Sequence, residues 1–202
     1  MKLVRALKKL QKTAARCVKA LSAAGVRLRL MFQDEGRFGR ISDPRRCWAP
    51  LGTRPNVPTQ IVREYTYAYV AASPHDGVMD SLILPVVSTR AMSLFLREVG
   101  ERHPDEFILM VMDGAGWHKT KDLETPDNMS LIFLPPYSPQ INPVEHIWES
   151  IREADFSNKA FSSMQAVEDQ LFRSLAALEA NPGAVAGTTG FRWITSINLK
   201  AT

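Results

Sequence analysis

The chain has 202 residues, about one and a third times a typical domain, so its length predicts a single domain. Apolar residues make up 45% and charged residues 23%, which excludes a disordered, collagen-like or disulfide-rich chain. No apolar run reaches the roughly 18 residues that a membrane helix needs, so we expect no membrane partner. Cys17 and Cys47 have no metal-binding or redox spacing, and we interpret them as reduced thiols in a cytosolic protein.

The net charge of +4 is unevenly distributed along the chain. Residues 1–33 contain nine basic and no acidic residues, whereas the remainder contains sixteen basic and twenty-one acidic residues. This pattern favours a polyanionic partner for the first segment, although a solvated helix face explains it equally well. Apolar residues from Leu3 to Leu21 recur every three or four positions, which predicts an amphipathic helix that ends at Gly25. We therefore divide the chain into a basic amphipathic helix or linker remnant, 1–25, and one domain, 26–202.

Strand and helix patterns alternate through that domain. Residues 26–33 alternate in polarity and predict a strand that ends at Asp34. Residues 36–60 are rich in Gly, Pro and Arg and predict a loop or short hairpin. The following segments predict strands over 65–72, 81–87, 107–112 and 130–134, and helices over 90–102, from 144, and over 162–178. This order predicts an α/β fold with a mixed sheet flanked by helices on both faces.

Three acidic residues lie at positions where the active sites of such folds are usually found. Asp34 and Asp113 each follow a predicted strand, and strand ends share one rim of a sheet. Glu145 opens the helix after a proline-rich segment. Each acid also has a structural interpretation: the aspartates as strand ends, and Glu145 as the third helical residue of a capping box with Asn142.

Convergence of these acids would have a chemical consequence. Like charges about 4 Å apart repel by roughly 4 kcal/mol per pair at an effective dielectric of 20, so the cluster needs protons or a cation. All-oxygen sites suit Mg²⁺ or Mn²⁺, and two such ions assist in-line phosphoryl displacement. The sequence has no zinc-spaced Cys/His set and no P-loop, which favours metal-assisted phosphodiester chemistry over a nucleotide-driven motor.

Three stretches carry a resemblance to a known family. They are FQDEGRFGR at 32–40, MDGAGWH at 112–118 and LPPYSPQINPVEHIW at 134–148. Together they resemble the catalytic domain of bacterial insertion-sequence transposases of the mariner-like superfamily, over about 26–195. The most specific feature is the Asn-Pro-x-Glu-x-x-Trp pattern that opens a helix, and 31 residues separate Asp113 from Glu145.

The resemblance implies a ribonuclease-H-like, integrase-like fold. It also implies that Asp34, Asp113 and Glu145 form a catalytic, metal-binding Asp-Asp-Glu triad with two Mg²⁺ or Mn²⁺ ions. The implied activity is cleavage of a DNA strand, followed by attack of the freed 3′ hydroxyl on a target phosphodiester. The implied partners are double-stranded transposon ends, target DNA and a second copy of the chain, in the cytoplasm near the nucleoid.

Recognition of the transposon ends is expected to need another polypeptide. Related transposases carry helix-turn-helix modules before this domain, whereas only about 25 residues precede the first predicted strand. We therefore expect a second reading frame joined by frameshifting, a truncated copy, or a half that works with a separate helix-turn-helix polypeptide.

Basic residues near the acids are candidates for DNA contact. Between 36 and 55 there are five arginines and one acid, and a lysine follows Asp113. Such residues suit a DNA backbone track, although a solvated hairpin explains them too. The candidates are Arg37, Arg40, Arg45, Arg46 and Lys119, with Arg54 and Lys121 as extensions.

Other residues near the triad receive structural interpretations. Glu35 is expected to point to the opposite face from Asp34 and is left outside the triad. His118 is interpreted as a hydrogen-bonded loop residue, with contact to a phosphate or nucleophile as the alternative. Trp148 is assigned to the core. Two other functions stay open: a DNA-binding or oligomerising fragment without strand transfer, and a stand-alone metal-dependent nuclease.

Overall fold

The computed structural model describes residues 2–22, 24–118, 120–136 and 138–199, without the side chains of 2–7, Ser22 and Trp117. Its centre is a single five-stranded sheet. The strands are β1 (Arg27–Ile41), β2 (Ile61–Ala72), β3 (Met79–Leu84), β4 (Glu106–Met112) and β5 (Met129–Phe133). They lie in the order β3-β2-β1-β4-β5. β1 pairs antiparallel with β2 and parallel with β4, so the sheet is mixed as predicted.

Helices cover both faces of the sheet. They are α1 (Lys2–Ser22), α2 (Thr89–Arg102), α3 (Val144–Ile151), α4 (Met164–Glu179), α5 (Pro182–Thr189) and α6 (Arg192–Thr195), with a π-helical turn over Arg152–Phe156 after α3. One face packs against α1, α3 and α4 around buried residues such as Phe32 and Trp148, and the other packs against α2 around residues such as Met31 and Phe95. No helix of the described residues is long and apolar enough to cross a bilayer.

The first strand is longer than the sequence predicts. β1 continues through Asp34 to Ile41, and its pairing with β2 extends as far as Ile61. The prediction that the strand ends at Asp34 is therefore wrong, and residues 36–41 of the segment 36–60, which was predicted as a loop or short hairpin, belong to β1. The cause is composition: glycine and charged residues are poor strand formers, and here the long β-hairpin outweighs that preference.

A glycine in this extension has a packing role. A Cβ at Gly36 would lie 2.8 Å from the Trp148 ring, so only glycine lets the indole rest against the strand. Gly36, which weakens the strand pattern in the sequence, therefore leaves the space that the Trp148 ring occupies.

The C-terminal region contains two helices that the sequence pattern does not reveal. Asn181 is predicted to end the last helix, but its Oδ1 accepts a hydrogen bond from the Ala184 N–H at 3.1 Å and so begins α5. Asn-Pro-Gly is compatible with a helix end and with a helix start, because Pro suits the first helical position. The predicted strand over 81–87 lies at 79–84 instead.

Candidate active site

The register of the two central strands brings Asp34 and Asp113 together. The last recorded pair between parallel β1 and β4 is Phe32 with Val111, and each aspartate lies two residues further along its strand direction. Side chains two residues apart point to the same side of a strand. Asp34 and Asp113 therefore lie on the same side as Phe32 and Val111, which belong to the apolar face covered by α3. The aspartates therefore emerge side by side, although β1 continues beyond the first of them.

Glu145 is delivered to the same place by the start of α3. Asn142 Nδ2 donates to the carbonyl oxygen of Gln33 at 3.0 Å, which ties the helix start to β1 beside Asp34. The Asn142 backbone N–H donates to the Pro139 carbonyl at 2.8 Å, so it does not form the reciprocal capping box that was the structural alternative.

The three acids line one cavity. Its volume is about 370 Å³, and it is also lined by residues 114–115, 134–136 and 138–139 and by Asn142. In the described part of the chain, no three His, Cys, Asp or Glu side chains are drawn together tightly enough to hold an ion as a closed cluster. The arrangement is thus an open cavity bordered by carboxylates.

The carboxylates influence one another electrostatically. Burial, with the charge of Glu145 and smaller effects of Glu35 and Asp113, raises the pKa of Asp34 to about 8, against the lowering effect of a hydrogen bond from Trp148. Burial also raises the pKa of Glu145, with Arg152 opposing and Glu149 and Asp113 reinforcing the shift. Burial and the neighbouring carboxylates therefore both disfavour the ionised form of Asp34.

Trp148 has a second role besides the predicted core packing. Its side chain is buried against Phe38, with ring centroids 5.9 Å apart, and its Nε1–H donates to Asp34 Oδ2 at 2.9 Å. The sequence contained a signal for this contact, since Trp148 follows Glu145 by three residues and occupies the same side of α3.

His118 bridges Asp113 and Glu35. Its Nδ1 lies 2.8 Å from Asp113 Oδ1, and its Nε2 lies 2.9 Å from Glu35 Oε1. Burial alone would lower the pKa of His118, but the hydrogen bonds and charges of Asp113 and Glu35 raise it to about 9. His118 is thus a hydrogen-bonded residue, as expected.

The predicted DNA-contact residues differ in their surroundings. Arg40 donates to the carbonyl oxygens of Phe161 and Ser162 at 3.0 and 2.9 Å, so it ties β1 to the segment before α4. Arg37 lies over the Tyr65 ring at 4.6 Å.

The remaining candidates lie beyond β1. Arg45 pairs with Asp43 at 2.9 Å, and Arg46 and Arg54 are exposed on the segment between β1 and β2. Lys119 lies outside the described residues.

Comparison with known proteins places the chain in a family. A family model described as a DDE superfamily endonuclease matches residues 29–168, which include all three acids. The uncharacterized protein y4pE/y4sA of Sinorhizobium fredii (strain NBRC 101917 / NGR234) is 41% identical over 98 residues, which are 48% of this chain and 73% of that protein.

Solved structures of the Mos1 transposase share the fold. A pre-cleavage Mos1 transpososome matches with a TM-score of 0.58 at 14% identity, covering 98% of this chain and 64% of that one. The catalytic domain of the Mos1 mariner transposase matches with a TM-score of 0.52 at 13% identity, covering 98% of this chain and 96% of that one. The ribonuclease-H-like fold is therefore confirmed, and the chain spans less than two thirds of the Mos1 chain in that transpososome.

Proposed function

Because the chain belongs to the DDE superfamily endonucleases, we propose that it is the catalytic domain of an insertion-sequence transposase. In this proposal it cuts one DNA strand by hydrolysis and joins the freed 3′ hydroxyl to a target phosphodiester. The observation that carries the proposal is the common register of Asp34 and Asp113, with Glu145 on the wall of the same cavity.

Asp34, Asp113 and Glu145 are the proposed ligands for Mg²⁺ or Mn²⁺. The donor set fits these ions because it is all oxygen, because the charges of Glu145 and Asp113 add to burial in raising the pKa of Asp34, and because the cavity has room for ions and water. One Mos1 structure that shares the fold is a paired-end complex with Mn. When two such ions are bound, they stabilise charge on the attacking and leaving oxygens.

This chain's own residues supply orientation around that chemistry. The Trp148 indole fixes one oxygen of Asp34, and Asn142 fixes the start of α3 and therefore the position of Glu145. The proline-rich wall formed by residues 134–136 and 138–139 limits the directions from which a phosphodiester enters the cavity. These contacts favour a single arrangement of the acids when DNA binds.

Double-stranded DNA is the proposed substrate and partner. One Mos1 structure with the same fold is a paired-end complex with the left transposon end. We extend this to transposon ends and target DNA, to a homodimer that pairs two ends, and to a separate helix-turn-helix polypeptide for end recognition. A cytoplasmic location near the nucleoid belongs to the same proposal.

The proposal is tested with a labelled duplex that carries the element's terminal repeat. Purified wild-type chain and the D113N variant are incubated with it in Mg²⁺ or Mn²⁺, with D105N as a matched control because Asp105 is exposed and lies at the opposite end of β4 from Asp113. Metal-dependent nicking and joined products in wild type and D105N, both lost in D113N, are the expected result.

The other outcomes separate the remaining functions. Nicking without joined products identifies a nuclease, and binding without cutting identifies a DNA-binding fragment. Either outcome, or equal nicking by D113N, contradicts the transposase proposal.

A further inference from the structure

Asp113 is the least enclosed of the three acids. About 54% of the Asp113 side chain is exposed. The carboxyl group of Asp34, in contrast, accepts a hydrogen bond from the buried Trp148 side chain. Asp113 also follows the last residue of β4, so no strand pairing restrains it. An exposed aspartate in a loop populates several rotamers unless hydrogen bonds select one.

A backbone N–H and a ring nitrogen lie within hydrogen-bond distance of one oxygen of Asp113. The Ala115 backbone N–H donates to Oδ1 at 2.9 Å, and His118 Nδ1 lies 2.8 Å from the same atom. The imidazole reaches this position because the chain turns back at Gly116–His118, where the His118 N–H donates to the Ala115 carbonyl at 3.0 Å.

Glu35 holds the opposite side of the imidazole. Its side chain is 9% exposed, the His118 side chain is 0% exposed, and Nε2 lies 2.9 Å from Oε1. Each ring nitrogen of His118 thus lies within hydrogen-bond distance of a carboxylate oxygen, one of Asp113 and one of Glu35, which determines the orientation of the ring. Adjacent strand residues point to opposite faces, so Asp34 enters the cavity while Glu35 reaches Asp113 through His118.

We propose that Glu35 and His118 form a positioning pair that fixes the Asp113 carboxylate for binding of a divalent cation. The inference rests on the proposed function, because it requires Asp113 to be a ligand. The imidazole ties Oδ1 in place, so that the carboxylate reaches the cavity in one rotamer. Residues that hydrogen-bond to the ligands of a metal ion contribute about 10- to 100-fold to metal affinity.

Two amide variants distinguish loss of the contact with Asp113 from loss of side-chain volume. In H118N the side-chain amide lies near the position of Nδ1 and keeps a donor for Asp113, whereas in H118Q it extends to the position of Nε2 and contacts Glu35 instead. The chain also provides a matched control: His103 Nε2 lies 2.8 Å from Asp80 Oδ2, and its Nδ1 lies 3.5 Å from Glu106, at the opposite end of β4.

The measurement is Mn²⁺ affinity by electron paramagnetic resonance on protein without DNA. We expect H118A and H118Q to weaken Mn²⁺ binding about 10- to 100-fold, and H118N to restore most of the loss. H103A is expected to lower the melting temperature and to leave Mn²⁺ affinity unchanged. In cleavage assays, the Mn²⁺ concentration that gives half the maximal rate should rise in the same order.

Equal Mn²⁺ affinity in wild type, H118A, H118N and H118Q overturns the positioning role. Equal losses in H118N and H118Q also overturn it, because they would reflect general disruption. D113N identifies failure of the proposed function itself: if it binds Mn²⁺ and cleaves like wild type, Asp113 is not a ligand at all.

Discussion

At the scale of single residues, the contact between Trp148 and Asp34 joins packing to the site. The Trp148 indole lies in the core and donates its only N–H to the carboxyl group of Asp34. Burial and the neighbouring charges raise the pKa of that carboxyl group to about 8. That hydrogen bond favours the ionised form of Asp34, which is the form able to bind a cation.

Replacing Trp148 by phenylalanine separates the two roles. W148F keeps an aromatic ring but removes the donor, so we expect a loss of about 1–3 kcal/mol in unfolding free energy and about 10- to 100-fold in DNA nicking. W193F is the control, because Trp193 packs on Phe32 in the same core, 6.1 Å between ring centroids. A nicking rate in W148F equal to that of W193F would contradict a role for the indole N–H.

The crowding of acids predicts a conflict between stability and activity. E145Q removes a charge that acts on Asp34, so we expect it to raise the melting temperature of metal-free protein by about 2–4 °C, equivalent to about 1 kcal/mol, while abolishing nicking. E101Q removes an exposed acid of α2 outside the cavity lining and should change neither property. A lower melting temperature for E145Q in EDTA would contradict mutual repulsion.

At the scale of elements, a buried ionic cluster anchors the start of the two central strands. Arg29 in β1 donates to Glu106 in β4 and to Asp76 after β2, the latter at 2.8 Å. Burial tends to raise the pKa of Glu106, but hydrogen bonds from Arg29 and Arg27 hold that pKa below its usual range. Likewise, despite burial, a hydrogen bond from Ser73 and the charge of Arg29 lower the pKa of Asp76.

The direction of these shifts sets the dependence of stability on pH. A carboxyl group with a lowered pKa in the folded state adds stability above its unfolded pKa of about 4, and this stability is lost as pH falls further. E106Q should therefore cost about 3 kcal/mol at pH 7, with a difference from wild type that narrows towards pH 3. Urea unfolding at each pH measures this, with the exposed residue Glu101 replaced in E101Q as control. A constant difference across pH would contradict it.

Periodicity in the sequence predicted the long elements well, because helical and buried-strand patterns are local. It did not predict the second half of β1, where Glu35, Gly36 and Arg37 give no strand signal and pairing with β2 decides the structure. The aspartates were expected together as two strand ends. They meet instead because β1 and β4 share a register, with Asp34 in mid-strand. The His118 bridge depends on a turn that no periodicity encodes.

At the scale of the whole molecule, the fold divides its sheet into two ends. The cluster around Arg29 holds β1 and β4 together at their starts, and the acidic cavity lies where their pairing stops. Between these two ends of the sheet, the pairing of β1 with β4 holds the ends at a fixed distance from each other. The end that carries the acids therefore keeps its geometry without a closed ligand cluster in the described residues.

The most direct test is anomalous scattering from a crystal of the chain with a cleaved DNA end and Mn²⁺. We predict a manganese peak between Asp34 and Asp113, and a second one that Glu145 helps to bind. Peaks confined to other parts of the surface, with the cavity empty of manganese at saturating concentration, would contradict the account.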